Sequence, residues 1–544
     1  MPPFRPRTRL ATHEVENQPE PLGDIDLFAD DAVLGHYLAL WARDTAPAAA
    51  FGREAGTEEM REAGRAANRH PPEFVPFDRA GRRIDEVRFH PAYHRLMALG
   101  IGHGYAARPW EGAADGHLVH AAMVYMMSQI EPGVCCPMTM TYAAVPALAA
   151  DAAVAAEWRP RLLSRAYDER SLPAHMKRGA TMGMAMTEKQ GGSDVRANTT
   201  RAERTADGWR LTGHKWFCSA PMSDAFLTLA QTGGGITCFL VPRWTPDDRR
   251  NPIEIQRLKD KLGNRANASA EIEYRGAWAQ KLGEEGRGVR TIIEMVQHTR
   301  LDTALAPAGL MRAALREAAW WVAGRRAFQR RLVDQPLMRR VLADLALDWE
   351  GATALGLRVA RAFDGAAPHE RALARVAVAL AKFLSNKLAP GVIYEAMETL
   401  GGMGYVEDTP LPMLFRESPL NSIWEGSGNV IALDVLRALA REEAAGTALA
   451  SELEAARGES RAYDAALTAH RERWPGLPEE GEARWFAESL ARLLTASVLL
   501  RHAPAPVGAA YAALRLEGGR GGIYGAAPLD AATEAALLAR LGLG

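Results

Sequence analysis

The sequence predicts a mainly α-helical protein that carries one inserted antiparallel β-domain. Apolar residues recur at spacings of three and four over residues 31–180. Over residues 181–288 the segments become short and rich in β-branched and aromatic residues, and Gly, Pro and Asn turns separate them. The helical period returns near Val289. With 544 residues, of which 48% are hydrophobic, the chain can build several domains with sizeable cores.

The elements are predicted in the following order. Residues 1–30, rich in Pro, Arg and acidic side chains, form an extended arm, and residues 31–180 form an N-terminal helical domain. Strands of the β-domain, residues 181–288, are predicted at 208–217, 226–231, 236–241 and 270–274. Long helices at 309–326 and 337–363 belong to a C-terminal helical bundle, residues 289–442, which a helical extension, residues 443–544, follows.

Charge and cysteine content narrow the class of protein. There are 65 basic and 66 acidic side chains, a net charge of −1, which argues against a globally basic nucleic-acid binder. The four cysteines (Cys135, Cys136, Cys218 and Cys238) lack the paired spacing of a zinc site, so no metal is predicted and the thiols are expected to be reduced. Because no signal peptide and no apolar run of about 20 residues is found, we expect a cytoplasmic protein without a membrane partner.

Polar residues are densest over residues 186–194, at the start of the predicted β-domain. The hydroxyl groups and backbone N–H groups of this glycine-containing loop can hydrogen-bond a phosphate or the edge of a heterocycle. On pattern alone an ordinary glycine loop is the commoner outcome. The glycine spacing fits neither a Walker nor a Rossmann fingerprint, so neither of those nucleotide folds is predicted.

Two further clusters lie downstream. At residues 214–219 the adjacent Trp216 and Phe217 can stack on a planar cofactor, although a core aromatic pair is the commoner outcome. At residues 421–429 Glu425 lies between Trp424 and a Gly-Ser-Gly turn that precedes a helix. A carboxylate in a partly apolar pocket has the raised pKa that a general base needs. An acid that complements the helix dipole is an equally good interpretation.

Taken together and in this order, the clusters resemble motifs of the acyl-CoA dehydrogenase family. The family sequence V-T-E-P-x-A-G-S-D corresponds to residues 186–194, and G-x-K-x-W-I-T corresponds to residues 213–219. R-x-x-F corresponds to residues 325–328, L-G-G-x-G-Y to 400–405 and Y-E-G-T to 424–427. The similarity runs from about residue 90 to residue 440. The phrases TEKQGGSD, KDKLGNRANA and NSIWEGSGN, together with the C-terminal extension, look closest to the AidB-like branch, which is linked to the adaptive response to DNA alkylation.

The resemblance implies an acyl-CoA dehydrogenase-like fold, non-covalently bound FAD near the junction of the β-domain and the C-terminal bundle, and a homotetramer. The residues that it places at the cofactor are Met184, Met186, Thr187, Ser193, Phe217, Cys218, Ser219, Trp424, Ser427 and Asn429. Those that would reach the FAD of a neighbouring subunit are Arg325, Phe328, Glu398 and Gly402.

The resemblance also implies roles for particular residues. Phe217 takes the position of the family's flavin-stacking Trp, and Ser219 takes that of the Thr near flavin N5. Glu425 matches the base that removes the α-proton of an acyl thioester while a hydride leaves Cβ. Some members place the base at the position of Thr299, which cannot serve.

Two functions are therefore predicted as alternatives. The first is the α,β-dehydrogenation of a short or branched acyl-CoA, with Glu425 as the base. The second is a flavoprotein that protects or repairs double-stranded DNA and has weak dehydrogenase activity, with Arg437 and Arg520 near the phosphates. The charge of the extension opposes the second function, because residues 441–544 contain 11 Arg and no Lys against 14 Asp and Glu.

Overall fold

The structure is a computed structural model that describes residues 6–518 and 521–543. The helices of the N-terminal region are α1 (Ala32–Trp41), α2 (Ala46–Ala55), α3 (Glu58–Arg69), α4 (Pro91–Gly102), α5 (Gly116–Met127), α6 (Cys135–Leu148) and α7 (Ala152–Leu162). The segment before α1 is irregular. It contacts the C-terminal helical bundle, where the Trp320 indole N–H donates to the carbonyl of Glu20 over 2.8 Å.

An antiparallel hairpin between α3 and α4, formed by β1 (Glu73–Phe77) and β2 (Arg83–Arg88), was not anticipated in this helical region. Its strands are too short to give a clear period of two. The hairpin is held by tertiary contacts, because Val87 and Phe74 pack against the interior of the β-domain.

The β-domain contains β3 (Met182–Ala185), β4 (Arg201–Thr205), β5 (Gly208–Ser219), β6 (Ala225–Thr232), β7 (Gly235–Pro242), β8 (Ile253–Leu258) and β9 (Ser269–Leu282). The four predicted strands are confirmed as β5, β6, β7 and β9, each extended at one or both ends. The sheet is mainly antiparallel, as predicted, but β3 and β4 both pair with β6 in parallel. Parallel pairing needs a crossover connection, and the long connection between β3 and β6, which contains β4 and β5, supplies it.

The C-terminal helices are α8 (Gly288–Gly324), α9 (Pro336–Asp364), α10 (Pro368–Thr399), α11 (Leu411–Glu417) and α12 (Gly428–Arg441). The short strands β10 (Arg326–Ala327) and β11 (Arg330–Arg331) form a tight hairpin between α8 and α9. The buried residues of α8, α9 and α10 share one core cluster with those of α5. Among the described residues α10 is long and apolar enough to cross a membrane, but most of its apolar stretch is buried inside the fold.

The C-terminal extension contains α13 (Glu443–Glu454), α14 (Arg461–Arg473), α15 (Ala483–His502), α16 (Ala505–Tyr511), a π-helical turn (Ala512–Leu516) and α17 (Ala531–Arg540). Buried ion pairs join it to α9. Arg515, on the π-helical turn, lies 2.7 Å from Asp344 Oδ1 and 2.7 Å from Asp348 Oδ1. The predicted order of helices, β-domain, helices and helical extension is confirmed.

Candidate active site

Glu425 lies on a strained loop just before α12. Its φ of +56° is in the left-handed region, which a residue with a Cβ adopts only at a cost in free energy. Two cations hold the loop in place. Lys382 Nζ of α10 donates to the carbonyls of Asn421 and Gly426 over 2.8 and 2.9 Å. Arg300 Nε of α8 donates to the carbonyl of Glu425 over 3.2 Å. The backbone therefore fixes the direction in which the carboxylate projects.

The Glu425 carboxylate is half-buried, and the Thr299 hydroxyl lies 2.6 Å from its Oε2. Burial raises the pKa of Glu425, while the hydrogen bond from Thr299 and the charges of Lys382 and Arg300 oppose that rise. A carboxyl group with a raised pKa is a better proton acceptor for a weakly acidic carbon. Thr299, at the position where the resemblance placed an alternative base, contacts the Glu425 carboxylate.

A single apolar cluster between α6 and the β-domain brings several predicted residues together. Met184, Met186 and Trp424 all pack against it, and Cys136 of α6 belongs to it. The indole N–H of Trp424 donates to Asn421 Oδ1 over 2.6 Å, which fixes the ring beside Glu425. Met184 and Met186, which precede β4, and Trp424, which precedes α12, therefore pack against the same apolar cluster.

The Cys136 thiol of α6 is influenced by both Ser219 and Glu425. Burial raises the pKa of the Cys136 thiol to about 12, and the other groups that influence it are Lys261, Glu425, Ser219 and Asn267. Ser219 is the last residue of β5 and is half-exposed. The Ser219 hydroxyl and the Glu425 carboxylate are thus both near enough to this thiol to influence its pKa. Cys136 and Lys261 were not singled out as site residues, because only the tertiary fold brings them there.

Phe217 and Cys218 have opposite environments. The Phe217 ring is 48% exposed, with Lys259 Nζ 4.8 Å from its centroid, so one apolar face is available for stacking. The Cys218 side chain is fully buried within the β-domain, and burial raises the pKa of its thiol to about 12. Side chains alternate along a strand, so Cys218 points away from the face that Phe217 and Ser219 share. The Cys218 side chain is therefore unavailable to a cofactor on that face, and the predicted contact at Cys218 stays a prediction for its backbone.

The loop at residues 186–194 is anchored from within by Glu188. This buried carboxylate lies 2.8 Å from Lys215 Nζ and accepts from the backbone N–H groups of Thr199 and Thr200 over 2.7 and 3.2 Å. Thr187 is half-buried and Ser193 is exposed, so the anchor leaves both hydroxyl groups at the outer side of the loop.

Glu188→Gln is expected to remove a pH dependence of stability below pH 4.5. Burial alone would raise the pKa of Glu188, but Lys215 and the hydrogen bonds lower it from 4.5 to about 2. The unfolded chain therefore binds a proton at a higher pH than the folded chain does. The stability due to Glu188 is complete above pH 4.5 and is lost as the pH falls toward about 2.

This dependence is measured by urea unfolding between pH 3 and 7, with Glu203→Gln, an exposed carboxylate on β4, as the control. Equal slopes of stability against pH in wild type and Glu188→Gln would contradict the assignment.

The remaining predicted residues lie at the surface or on α12. Of the four residues implied for a neighbouring subunit, Phe328, Glu398 and Gly402 are exposed, and Arg325 is half-buried and donates to the carbonyl of Asn17 over 2.8 Å. Ser427 is the N-cap residue of α12, and Asn429 Oδ1 accepts from Arg484 of the extension over 3.0 Å. Arg437 is 58% exposed and lies 3.6 Å from Asp434, whereas Arg520 lies outside the described residues.

Comparisons with known proteins identify the family and the fold. Residues 17–169 match the family of the adaptive response protein AidB N-terminal domain, residues 183–277 the acyl-CoA dehydrogenase middle domain and residues 286–440 the acyl-CoA dehydrogenase C-terminal domain. The chain is 45% identical to the AidB protein of Escherichia coli (strain K12) over 521 residues, which cover 94% of this chain and 96% of that protein.

Solved structures have the same fold. ACDH-11 of Caenorhabditis elegans, in complex with C11-CoA, is 28% identical and superposes with a TM-score of 0.83 over 95% of this chain and 93% of its own. An acyl-CoA dehydrogenase of Bacillus anthracis complexed with FAD, 16% identical, has a TM-score of 0.62 over 78% of this chain and 77% of its own. The identity to the E. coli relative extends over almost the whole of both chains, and the chain therefore belongs to the acyl-CoA dehydrogenase family, in its AidB-like branch.

Proposed function

We propose that the protein is an FAD-dependent oxidoreductase that dehydrogenates acyl-CoA thioesters between Cα and Cβ. The observation that carries this proposal is the position of Glu425. Its carboxylate is half-buried, is held at Oε2 by Thr299 over 2.6 Å, and lies on a loop whose Trp424 packs against the same apolar cluster as Met184 and Met186. An isolated helix-capping acid would not need a left-handed backbone and two cations to fix its direction.

The residues present fit a flavin. Phe217 offers an exposed ring for stacking, Ser219 offers a hydroxyl, and Met184 and Met186 offer apolar surface at the edge of a core cluster. FAD, when bound, supplies the acceptor for the hydride that leaves Cβ. Thr187 and Ser193, on the loop before β4, and Ser427 and Asn429, at the start of α12, would contact the polar parts of the cofactor.

Glu425 and Thr299 together accept and stabilise the α-proton of the substrate. Glu425 takes the α-proton at Oε1 or Oε2, and Thr299 donates to the carboxylate before transfer. The Thr299 hydroxyl is also 3.0 Å from the carbonyl of Val296, so it can turn its proton there and accept from Glu425 after transfer. Both protonation states of the base therefore keep a partner, which holds the side chain in one position throughout the reaction.

The substrate class is tested by mixing the anaerobic, FAD-loaded protein with a panel of acyl-CoAs. The panel contains short straight, short branched and C11 acyl chains, because the family favours an acyl thioester and the relative of Caenorhabditis elegans was solved with C11-CoA. We expect the flavin absorbance to bleach with at least one member of the panel, and we propose a short or branched chain as the preferred substrate. No bleaching with any member would overturn the proposal.

A second candidate function is binding of double-stranded DNA in the response to alkylation damage. It is favoured by the match of residues 17–169 to the adaptive response protein AidB N-terminal domain and by the 58% exposed guanidinium of Arg437. Several arginines of the extension are already neutralised by carboxylates, including Arg492, Arg501, Arg515 and Arg540. We therefore place this function second.

DNA binding is tested by the salt dependence of duplex retention in wild type, Arg437→Ala and Arg520→Ala. Loss of one phosphate contact should reduce the slope of log affinity against log salt concentration by about 1. An unchanged slope in both variants would remove these two residues from any DNA site.

We also propose a homotetramer, in which a second subunit covers the exposed side chain of Phe328, 91% exposed, and that of Tyr405, 83% exposed. Mass photometry at low micromolar concentration tests this, and a monomer would contradict it.

A further inference from the structure

We propose that Lys261 is a positioning residue that fixes the direction of the hydrogen bond which the Ser219 hydroxyl offers to the flavin. This inference rests on the proposed function, because it assumes FAD at Ser219. It concerns a lysine in the loop between β8 and β9 for which neither the motifs nor the catalytic base gives a role.

The three residues form a chain of polar atoms. Lys261 Nζ donates to Ser269 Oγ over 3.0 Å and to the carbonyl of Asn267 over 2.6 Å. Ser269, the first residue of β9, is directly opposite Ser219 in the antiparallel pairing of β5 with β9. The two serine hydroxyl oxygens are 3.5 Å apart. An ammonium group therefore lies two hydroxyl groups away from the atom that faces the cofactor.

The direction of each hydrogen bond follows from the chemistry of the donors. A lysine ammonium has three donors and no acceptor, so Ser269 Oγ must accept from Lys261. The single proton of Ser269 is then free to point toward Ser219 Oγ, which accepts it. The proton of Ser219 must in turn point elsewhere. One adjacent group is the Cys136 thiol, and the other is the flavin that the proposed function places at Ser219. A neutral thiol is a weak acceptor, so a flavin nitrogen or oxygen is the preferred partner.

The surroundings of Lys261 give this chain an electrostatic effect. Burial lowers the pKa of Lys261 to about 8, while the neighbouring Cys136, Glu417 and Glu131 act to raise it. The two carboxyl groups are themselves buried, and burial raises the pKa of both. A positive charge at the end of a hydroxyl chain stabilises added electrons on the bound flavin. We therefore expect Lys261 to raise the flavin midpoint potential below pH 8.

The test compares the FAD-loaded wild type with Lys261→Met, Lys261→Arg and Ser269→Ala. Midpoint potentials are measured by equilibration with a redox dye between pH 6 and 9, which needs no acyl-CoA. We expect a lower potential in Lys261→Met and Ser269→Ala, and wild-type behaviour below pH 8 in Lys261→Arg. The step near pH 8 should become smaller in Lys261→Met, where Glu131, whose pKa burial raises to about 8, still titrates. Lys281→Met is the matched control, because Lys281 lies on β9, as Ser269 does, but is paired with Glu285. It should leave the midpoint potential and its pH dependence unchanged.

The rate of bleaching by a reactive acyl-CoA should fall about tenfold in Lys261→Met and in Ser269→Ala, the effect of about one hydrogen bond. Ser269→Ala keeps the lysine, so it tests the hydrogen-bond series from Lys261 to Ser219 even if Lys261→Met does not fold. Wild-type potentials in both variants, or a wild type that binds no FAD, would overturn the proposal. A wild type that binds FAD but reacts with no acyl-CoA would refute the proposed function alone. The midpoint potentials would still test the hydrogen-bond series from Lys261 to Ser219.

Discussion

Replacing Glu425 by Gln is expected to lower the rate of flavin bleaching by a reactive acyl-CoA by about 10²–10⁴-fold, the contribution typical of a general base. The amide has nearly the same shape, and its oxygen can still accept from Thr299 across the 2.6 Å contact, so the loop should keep its conformation. The affinity for FAD should be unchanged, because the substitution removes only the carboxylate and leaves Phe217, the residue proposed to stack on the flavin, in place. Stopped-flow absorbance under anaerobic conditions measures the rate, and fluorescence quenching of free FAD measures the affinity.

Thr299→Val is the matched control for the base. It keeps the carboxylate but removes the hydrogen bond that positions it, so its rate should fall between those of wild type and Glu425→Gln. Retention of wild-type bleaching in Glu425→Gln would show that another group takes the proton. A loss of FAD affinity equal to the loss of rate would instead assign Glu425 a structural role.

Replacing Arg515 by Ala should lower the free energy of unfolding by about 3–5 kcal/mol, the effect typical of breaking a buried ion pair by removing one partner. Arg515 lies 2.7 Å from Asp344 and 2.7 Å from Asp348, and both carboxylates are fully buried. Without the guanidinium, two buried carboxylates of α9 lose the ion pairs that Arg515 makes with them. Urea unfolding followed by circular dichroism measures the effect.

Arg457→Ala is the control for this change, since Arg457 forms an exposed pair with Glu454 and its removal should leave the unfolding midpoint almost unchanged. An unfolding midpoint of Arg515→Ala that equals that of wild type would show that these ion pairs do not hold the extension on α9.

The sequence predicted the parts of the fold that local periodicity determines. Strands β5, β6, β7 and β9 are predictable because their segments are short, rich in β-branched and aromatic residues, and bounded by turn residues. The parallel position of β3 beside β6 was not predictable, since it depends on a contact between segments about 40 residues apart. The hairpin of β1 and β2 was missed for a similar reason, because it is held by packing against the β-domain.

The site residues also divide into those that local motifs identify and those that only the tertiary fold brings together. Glu425, Phe217 and Ser219 were identified through the motifs, but the groups that hold Glu425 come from α8 and α10, and no local pattern connects them to it. The period of two along β5 already contained the signal that Cys218 points away from Phe217 and Ser219. Cys136 and Lys261 carry no such signal, since their closeness to Ser219 arises only when α6 and the loop before β9 pack together.

The arrangement of Ser219, Phe217 and Glu425 around one flavin is tested most directly by a crystal structure of the FAD-loaded protein. We expect the isoalloxazine ring stacked near Phe217, an edge of the ring within hydrogen-bond distance of Ser219 Oγ, and the Glu425 carboxylate facing the ring across a gap wide enough for an acyl chain. A flavin bound elsewhere, or a Glu425 carboxylate turned away from the ring, would contradict the account.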